Sequence, residues 1–259
     1  MLLKELLREL DKLCPFAYQE DFDNSGLQVG AENHQCQHLL LAFDFTEDVL
    51  KEAVAKGCDT IITHHPFLFH GLKQVDASNW SGRMIYQLIE NKIALIALHT
   101  NLDKIDFGVN MQLATDLGLQ NIEVFLPEAS GCGLGAVGQL AQPQTMAEFI
   151  ATVKQNLNCP WVKYVGQPEK TVSYIGVLGG AGAEYLNAAQ EKGLDVYVSS
   201  DFKYHDAQQA QNIDLCIIDA GHFGTEVGVV KALGKKLREE LKGLQISVSE
   251  NMADYWQYE

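Results

Sequence analysis

The feature that most constrains this chain is a stretch that occurs twice, in which a glycine-stopped helix feeds a short apolar strand. Lys56-Gly57-Cys58-Asp59 precedes the run Thr60–Thr63, which ends at His64-His65. Lys192-Gly193-Leu194-Asp195 precedes a similar run that ends, at the same offset, at Ser200-Asp201. Later, His99-x-x-x-Asp103 in the first half is answered by His222-x-x-x-Glu226 in the second, each pair after an apolar strand and before a helix. Any two βαβ units share a strand, a turn and a capped helix, so that skeleton alone is weak. The repeated His-x-x-x-acid at one structural point tips the balance toward an ancient duplication.

Strand and helix signals alternate along the whole chain, the pattern of βαβ units. His38–Ala42 reads as a buried strand, Thr46 as the N-cap of a helix carrying Val49, Leu50, Ala53 and Val54, and Gly57 as its stop. A helix with Met84, Ile85, Leu88 and Ile89 leads to the strand Ile93–Leu98, and a helix with Met111, Leu113 and Ala114 follows. In the second half, a helix starts at Thr145, the strand Val172–Leu178 meets a Gly179-Gly180-Ala181-Gly182 turn, and the strand Asp195–Ser199 follows. The strand Ile213–Ile218 then delivers His222 and a long helix from about Thr225 to Leu241. The expected fold class is α/β, with two related α/β lobes built on mixed, largely parallel sheets. The first lobe covers 1–125 with His64, His65, His99 and Asp103; the second covers 126–259 with His222 and Glu226. The C-terminal helix and the strand Gln245–Val248 either stay with the second lobe or return to the first.

A formal charge of −15 over 259 residues argues against a nucleic-acid partner, which needs clustered Lys and Arg. Cys14, Cys36, Cys58, Cys132, Cys159 and Cys216 form no C-x-x-C pair, so reduced cytoplasmic thiols are the simplest reading. Leu2, Leu3, Leu6, Leu7, Leu10 and Leu13 fall at the spacing of an amphipathic N-terminal helix rather than a targeting segment, and no apolar run reaches the ~20 residues that span a bilayer.

Ligands of open α/β sheets gather beyond the carboxyl ends of the strands. His64, His65, His99, Asp103, His222 and Glu226 all fall at such ends. Imidazoles with two carboxylates suit Zn, Fe or Mn. His64, His65, Asp103, His222 and Glu226 are therefore the candidate ligands of a dinuclear centre, with Glu226 the first choice for a bridging carboxylate. His99 is a proton shuttle, a group that orients a ligand, or a hydrogen-bonded core histidine. Asp201, Lys203 and His205 line the cleft or form a helix cap and solvated face. Gly179–Gly182 lacks the spacing of a phosphate loop and reads as close backbone packing. Cys58 reads as buried packing.

Asp23-Asn24-Ser25-Gly26-Leu27-Gln28-Val29-Gly30, Thr63-His64-His65-Pro66, His99-Thr100-Asn101-Leu102-Asp103 and Gly221-His222 with Glu226 together resemble one signature. It is that of the NGG-one-interacting-factor-three-like family, whose bacterial members are known as GTP cyclohydrolase I type 2 homologs. The resemblance runs nearly end to end and implies the same five ligands, His64, His65, Asp103, His222 and Glu226. It also implies two divalent cations per subunit at the interface between the lobes, and a toroidal homohexamer. Two departures stand out: Ser200 where the family commonly has Gly before Asp, and Ala136 where a basic residue is frequent.

The expected function is that of a metal-dependent hydrolase of the GTP cyclohydrolase kind, acting on a small molecule, a purine nucleotide by the resemblance. In it a metal-activated hydroxide attacks the purine ring, with His99 or His205 as proton donor. The same equipment serves a phosphoester or amide substrate. The competing expectation is a metal-binding hexameric scaffold or regulator without turnover.

Overall fold

The computed structural model describes residues 1–129 and 131–257 and divides into two units. Unit 1 joins Met1–Leu102 to Val230–Ala253, and unit 2 joins Asp103–Val229 to the stretch from Asp254 onward.

In unit 1, α1 (Leu3–Leu13) buries Leu3, Leu6 and Leu10, the face its leucine spacing predicts. There follow β1 (Gly26–Val29), β2 (His38–Ala42), α2 (Glu47–Lys56), β3 (Thr60–Thr63), α3 (Trp80–Glu90) and β4 (Ala94–Ala97). The Thr46 hydroxyl accepts from Val49 N at 3.2 Å to start α2, and Gly57 ends it in the left-handed conformation, φ +67°. The sheet order is β1-β4-β3-β2, closed by the late strand Gln245–Val248 beside β2. β1 is antiparallel to β4, and the other pairs are parallel. Every residue of β2, β3 and β4 is buried, which is why these strands read as continuous apolar runs rather than alternating ones.

Glu52 of α2 fastens the late segment to this unit. Its buried carboxylate accepts from Lys56 Nζ at 2.6 Å, Ser249 Oγ at 2.6 Å, Asn251 Nδ2 at 2.9 Å and Glu250 N at 3.1 Å. Burial works to raise its pKa, but these donors outweigh it and hold the group at about 2, against an ordinary 4.5. The lowered value means the contribution is complete above about pH 4.5 and is lost as pH falls toward 2. Glu52→Gln is expected to cost about 2–3 kcal/mol in urea unfolding at pH 7, and the gap to the parent should close as the titration is moved into that acid window.

The chain passes through α4 (Thr100–Asp103) into unit 2, with α5 (Val109–Asp116), β5 (Gln120–Pro127), β6 (Gly133–Thr145), α6 (Met146–Asn156), β7 (Lys163–Val165) and β8 (Thr171–Ala181). Then come α7 (Leu186–Glu191), β9 (Val196–Ser200), α8 (Tyr204–Asn212), β10 (Cys216–Asp219) and α9 (His222–Glu226), after which α10 (Gly228–Glu240) and β11 (Gln245–Val248) return the chain to unit 1. The sheet order is β5-β6-β8-β9-β10-β7, with β8, β9 and β10 parallel and the outer pairings antiparallel. Its core includes Phe149, Val153, Ile175, Val177, Val196, Val198 and Ile218. The fold class is thus α/β with mixed sheets.

The duplicated stretch occupies the same place in each unit. Asp59 Oδ2 accepts from Gln37 N at 2.7 Å and His38 N at 3.1 Å; Asp195 Oδ2 accepts from Ser173 N and Tyr174 N, both at 2.8 Å. Each aspartate follows a left-handed glycine, Gly57 or Gly193, and locks the start of one parallel strand to the start of the next.

Two local expectations change. The glycine run after Leu178 is not a turn opening a helix: β8 continues through Ala181, its register with β9 shifting at a bulge where Gly180 takes φ +69°. The long helix from Thr225 is two helices, α9 ending at Glu226 and α10 starting at Gly228. Among the described residues no helix is long and apolar enough to cross a membrane.

Candidate metal centre

In unit 1 the site is built by two adjacent parallel strands. β3 ends at Thr63, whose hydroxyl donates to His65 O at 2.7 Å, and His64 N and His65 N both donate to Phe43 O, at 3.2 and 3.1 Å. The two histidines are thereby fixed at the carboxyl edge of the sheet. β4 leads through Leu98 to His99, whose backbone N donates to Ser25 Oγ at 3.2 Å.

All three rings are oriented through Nδ1. His64 Nδ1 donates to Leu98 O at 2.9 Å, His65 Nδ1 pairs with Asp44 Oδ1 at 2.8 Å, and His99 Nδ1 pairs with Asp23 Oδ1 at 2.7 Å. A carbonyl can only accept, so the proton of His64 lies on Nδ1 and the lone pair on Nε2; the carboxylates favour the same tautomer in the other two. The ring centroids lie 4.9 to 5.5 Å apart, and one ligating atom from each ring falls within 4.8 Å of the others. Phe43 covers the group on one side, with its centroid 4.5 Å from that of His65.

Asp23 serves as the hub of its loop. Besides His99 it accepts from Thr100 N at 3.0 Å, Ser25 Oγ at 3.0 Å and the Thr100 hydroxyl. Burial opposes its charge, yet the hydrogen bonds from His99 and Thr100 prevail and hold its carboxyl well below the usual range.

In unit 2, Gly221 (φ +77°) turns the chain after β10, so that His222 opens α9 and Glu226 follows one turn later. His222 Nδ1 pairs with Asp201 Oδ2 at 2.7 Å and Nε2 with Glu226 Oε2 at 3.0 Å. Burial favours the neutral ring, but hydrogen bonds to Asp201 and Glu226, with their charges, push its pKa up to about 10. The imidazolium here lies between two carboxylates, a place whose chemistry equally suits a divalent cation on Nε2 and Glu226. The bulged end of β8 leaves room for this pair. A Cβ on Gly180 would strike Glu226 Oε1 and come within 3.3 Å of His222 Cε1; one on Gly179 would meet Val109 and, at 3.0 Å, Glu226 Cγ.

Asp103 ends α4. Its carbonyl accepts from Asn110 Nδ2 at 2.9 Å, while Asn110 Oδ1 accepts from Gly179 N at 2.9 Å. One buried asparagine thus ties Asp103 to the strand end that packs on Glu226. His205 lies on the exposed face of α8, with Nδ1 3.3 Å from Gln208 Oε1. Cys58 is 5% exposed and packs in the core of unit 1, where burial with the charge of Asp59 pushes its thiol up to about 11.

The donor set therefore fits a borderline or hard divalent cation: imidazoles in the Nε2-ligating tautomer, carboxylates, and oxygen acceptors behind each ring. Sequence reasoning missed Asp44, Asn110 and the link from Asp23 to His99. Asp44 and Asn110 sit in no motif, and the one available signal was the turn-forming loop Asp23–Gly30, expected to hold one conformation.

A sequence profile of the Duf34/NIF3 (NGG1p interacting factor 3) family matches residues 1–254. The chain is 32% identical to the GTP cyclohydrolase 1 type 2 homolog of Clostridium acetobutylicum, across 99% of this chain and 98% of that one. It is 31% identical to the protein of the same name from Clostridium perfringens, with both chains fully covered. The fold superposes on the crystal structure of Staphylococcus aureus protein SA1388 with a TM-score of 0.93, 31% identity, and coverage of 100% and 99%. It superposes on the Bacillus cereus protein related to NIF3 with a TM-score of 0.91 at 28% identity, with the same coverage. A match of that extent in sequence and in fold places this chain in the Duf34/NIF3 family.

Proposed function

We propose that this protein is a metal-dependent hydrolase in which His64, His65, Asp103, His222 and Glu226 together hold two divalent cations per subunit and a purine nucleotide is the substrate. The observation that carries the reading is the cluster of three histidines in unit 1, each with Nδ1 committed to an oxygen and their ligating atoms within 4.8 Å. Structural histidines have no need of a shared tautomer and a common focus. The names of the Clostridium relatives support a purine nucleotide, with GTP the first to test.

Cations bound there would lower the pKa of a coordinated water toward neutrality and polarise the electrophile. The chain's own groups do the rest. Asp44 keeps His65 in its ligating tautomer, and Phe43 excludes water from one side of the cluster. His99, whose Nδ1 is held by Asp23, is the proposed group that takes a proton from the attacking water on Nε2 and hands it on to the leaving nitrogen. His205, on exposed α8, is the second candidate for that role. The reading includes cytoplasmic residence and a ring of six, for which light scattering should give about six times 28.7 kDa.

The test is elemental analysis of protein purified without added metal, with formate release from GTP and phosphate release from nucleotides assayed on the same preparation. Two metals per subunit with GTP-dependent formate release is the expected result. Two metals with no turnover on either assay would refute the nucleotide substrate and favour a scaffold. Protein that takes up no metal would refute the centre itself.

A further inference from the structure

The duplication assigns a partner to every residue of the histidine pair in unit 1. By the shared offset from the Lys-Gly-x-Asp stretch, His64 corresponds to Ser200 and His65 to Asp201. Unit 2 thus carries no histidine pair at its equivalent strand end. Three observations show what Asp201 does there instead. Its backbone sits at φ +59°, a region that side chains other than Asn and Asp seldom enter. Its carboxylate does not cap the following helix: α8 starts after Lys203, whose N donates to Asp206 Oδ2 at 2.7 Å. And Asp201 Oδ2 meets His222 Nδ1 at 2.7 Å, matching Asp44 on His65 at 2.8 Å and Asp23 on His99 at 2.7 Å.

We propose that Asp201 is a positioning residue, the unit 2 counterpart of Asp44 and Asp23, which fixes the Nδ1–H tautomer and ring direction of His222 for cation binding. The position that supplies a ligand in unit 1 has become, in unit 2, the group that orients one. A glycine would enter the left-handed conformation at no steric cost, so an aspartate there answers a demand for its carboxylate. The inference rests on the reading of His222 as a cation ligand.

The test compares the parent, Asp201→Gly and Asp201→Asn, each as full-length protein stripped with chelator and titrated with Zn²⁺ against a chromophoric competitor. Asp201→Gly is expected to weaken the cation held by His222 by about 10–100-fold, the usual cost of losing the group behind a ligating histidine. In the stripped Asp201→Gly protein the relief of the backbone is set against loss of the Asp201–His222 pair, so its unfolding midpoint checks folding, and affinity and spectrum are the deciding readouts. Asn tolerates this conformation and keeps an acceptor for Nδ1–H, so Asp201→Asn should recover most of the affinity. With Co²⁺ in place of Zn²⁺, the visible absorption of Asp201→Gly should shift as the imidazole reorients. A merely structural role would change the midpoint and leave affinity and spectrum as in the parent, and would overturn the proposal. Equal loss in Asn and Gly variants would also overturn it. A parent that binds no Zn²⁺ at all would instead sink the metal reading on which the inference stands.

Discussion

Glu226→Ala and His65→Ala are each expected to lower the bound metal from two per subunit to one or fewer, and to reduce turnover by well over ~100-fold, since even residues behind a metal ligand cost 10–100-fold. His65 belongs to unit 1 and Glu226 to unit 2. Glu226 is 5% exposed and one turn of α9 below His222, so its removal takes a carboxylate from a site that has no spare one nearby in the sequence of that helix. His65 is the ring that Asp44 holds at 2.8 Å, and its loss leaves His64, Asp103, His222 and Glu226, four donors to divide between two cations that need at least three each. Cys58→Ala is the control. The thiol lies among the side chains that pack β3 against its neighbours, and its removal should cost packing energy of about 1 kcal/mol without changing the metal content. Elemental analysis of all three decides the matter: unchanged stoichiometry in both ligand variants would refute the centre, and metal loss in Cys58→Ala would reveal a missed thiolate.

The central strands, their caps and the histidines were legible because each is a local matter. A buried parallel strand is a run of apolar residues wherever its partners are, and Thr46, Gly57 and Thr145 act within one helical turn. Strand ends then advertise His64, His65, His99 and His222 by simple adjacency. What escaped notice depends on pairings across the chain. β6 carries Gly135 and Gly138, no clean alternation, and pairs antiparallel with β5 and β8 through a shifted register, so nothing in its own residues marks it as a strand. β11 finds β2 from the far end of the sequence, a choice settled by Glu52 and its donors Ser249, Glu250 and Asn251 rather than by any periodicity. Asp44 and Asn110 are likewise anonymous until the fold sets them behind a ring and beneath a strand. The candidate ligands were visible as motifs, whereas the groups that orient them were not.

Gly180→Ala and Gly57→Ala form a matched pair in which one backbone strain meets two different surroundings. The φ angles are +69° and +67°, so placing a Cβ in the left-handed region costs both variants the same ~1–2 kcal/mol. At Gly57 the cost ends there, because no heavy atom lies within 4 Å of the new methyl at the exposed end of α2. At Gly180 the methyl strikes Glu226 Oε1, lies 3.2 Å from Glu226 Cδ and 3.3 Å from His222 Cε1, and so must push both side chains or shift the bulge. Thr225 and Ser199 resist that shift: their hydroxyls bond Gly180 N and O at 3.1 and 2.9 Å. The extra cost is then about 1–3 kcal/mol of overpacking, on top of the shared backbone strain. Metal affinity separates the variants further. Gly57→Ala should bind metal as the parent does, while Gly180→Ala should lose about 10–100-fold, the range expected when a ligand is misplaced by its support. Chemical unfolding of the stripped proteins gives the first difference and competitive Zn²⁺ titration the second. If Gly180→Ala loses stability but keeps its affinity, Glu226 and His222 do not bind metal where they stand, and the glycine serves only the strand bulge. If affinity falls by more than the shared strain explains, the glycine pair at the end of β8 is part of the centre, shaped by the absence of a side chain.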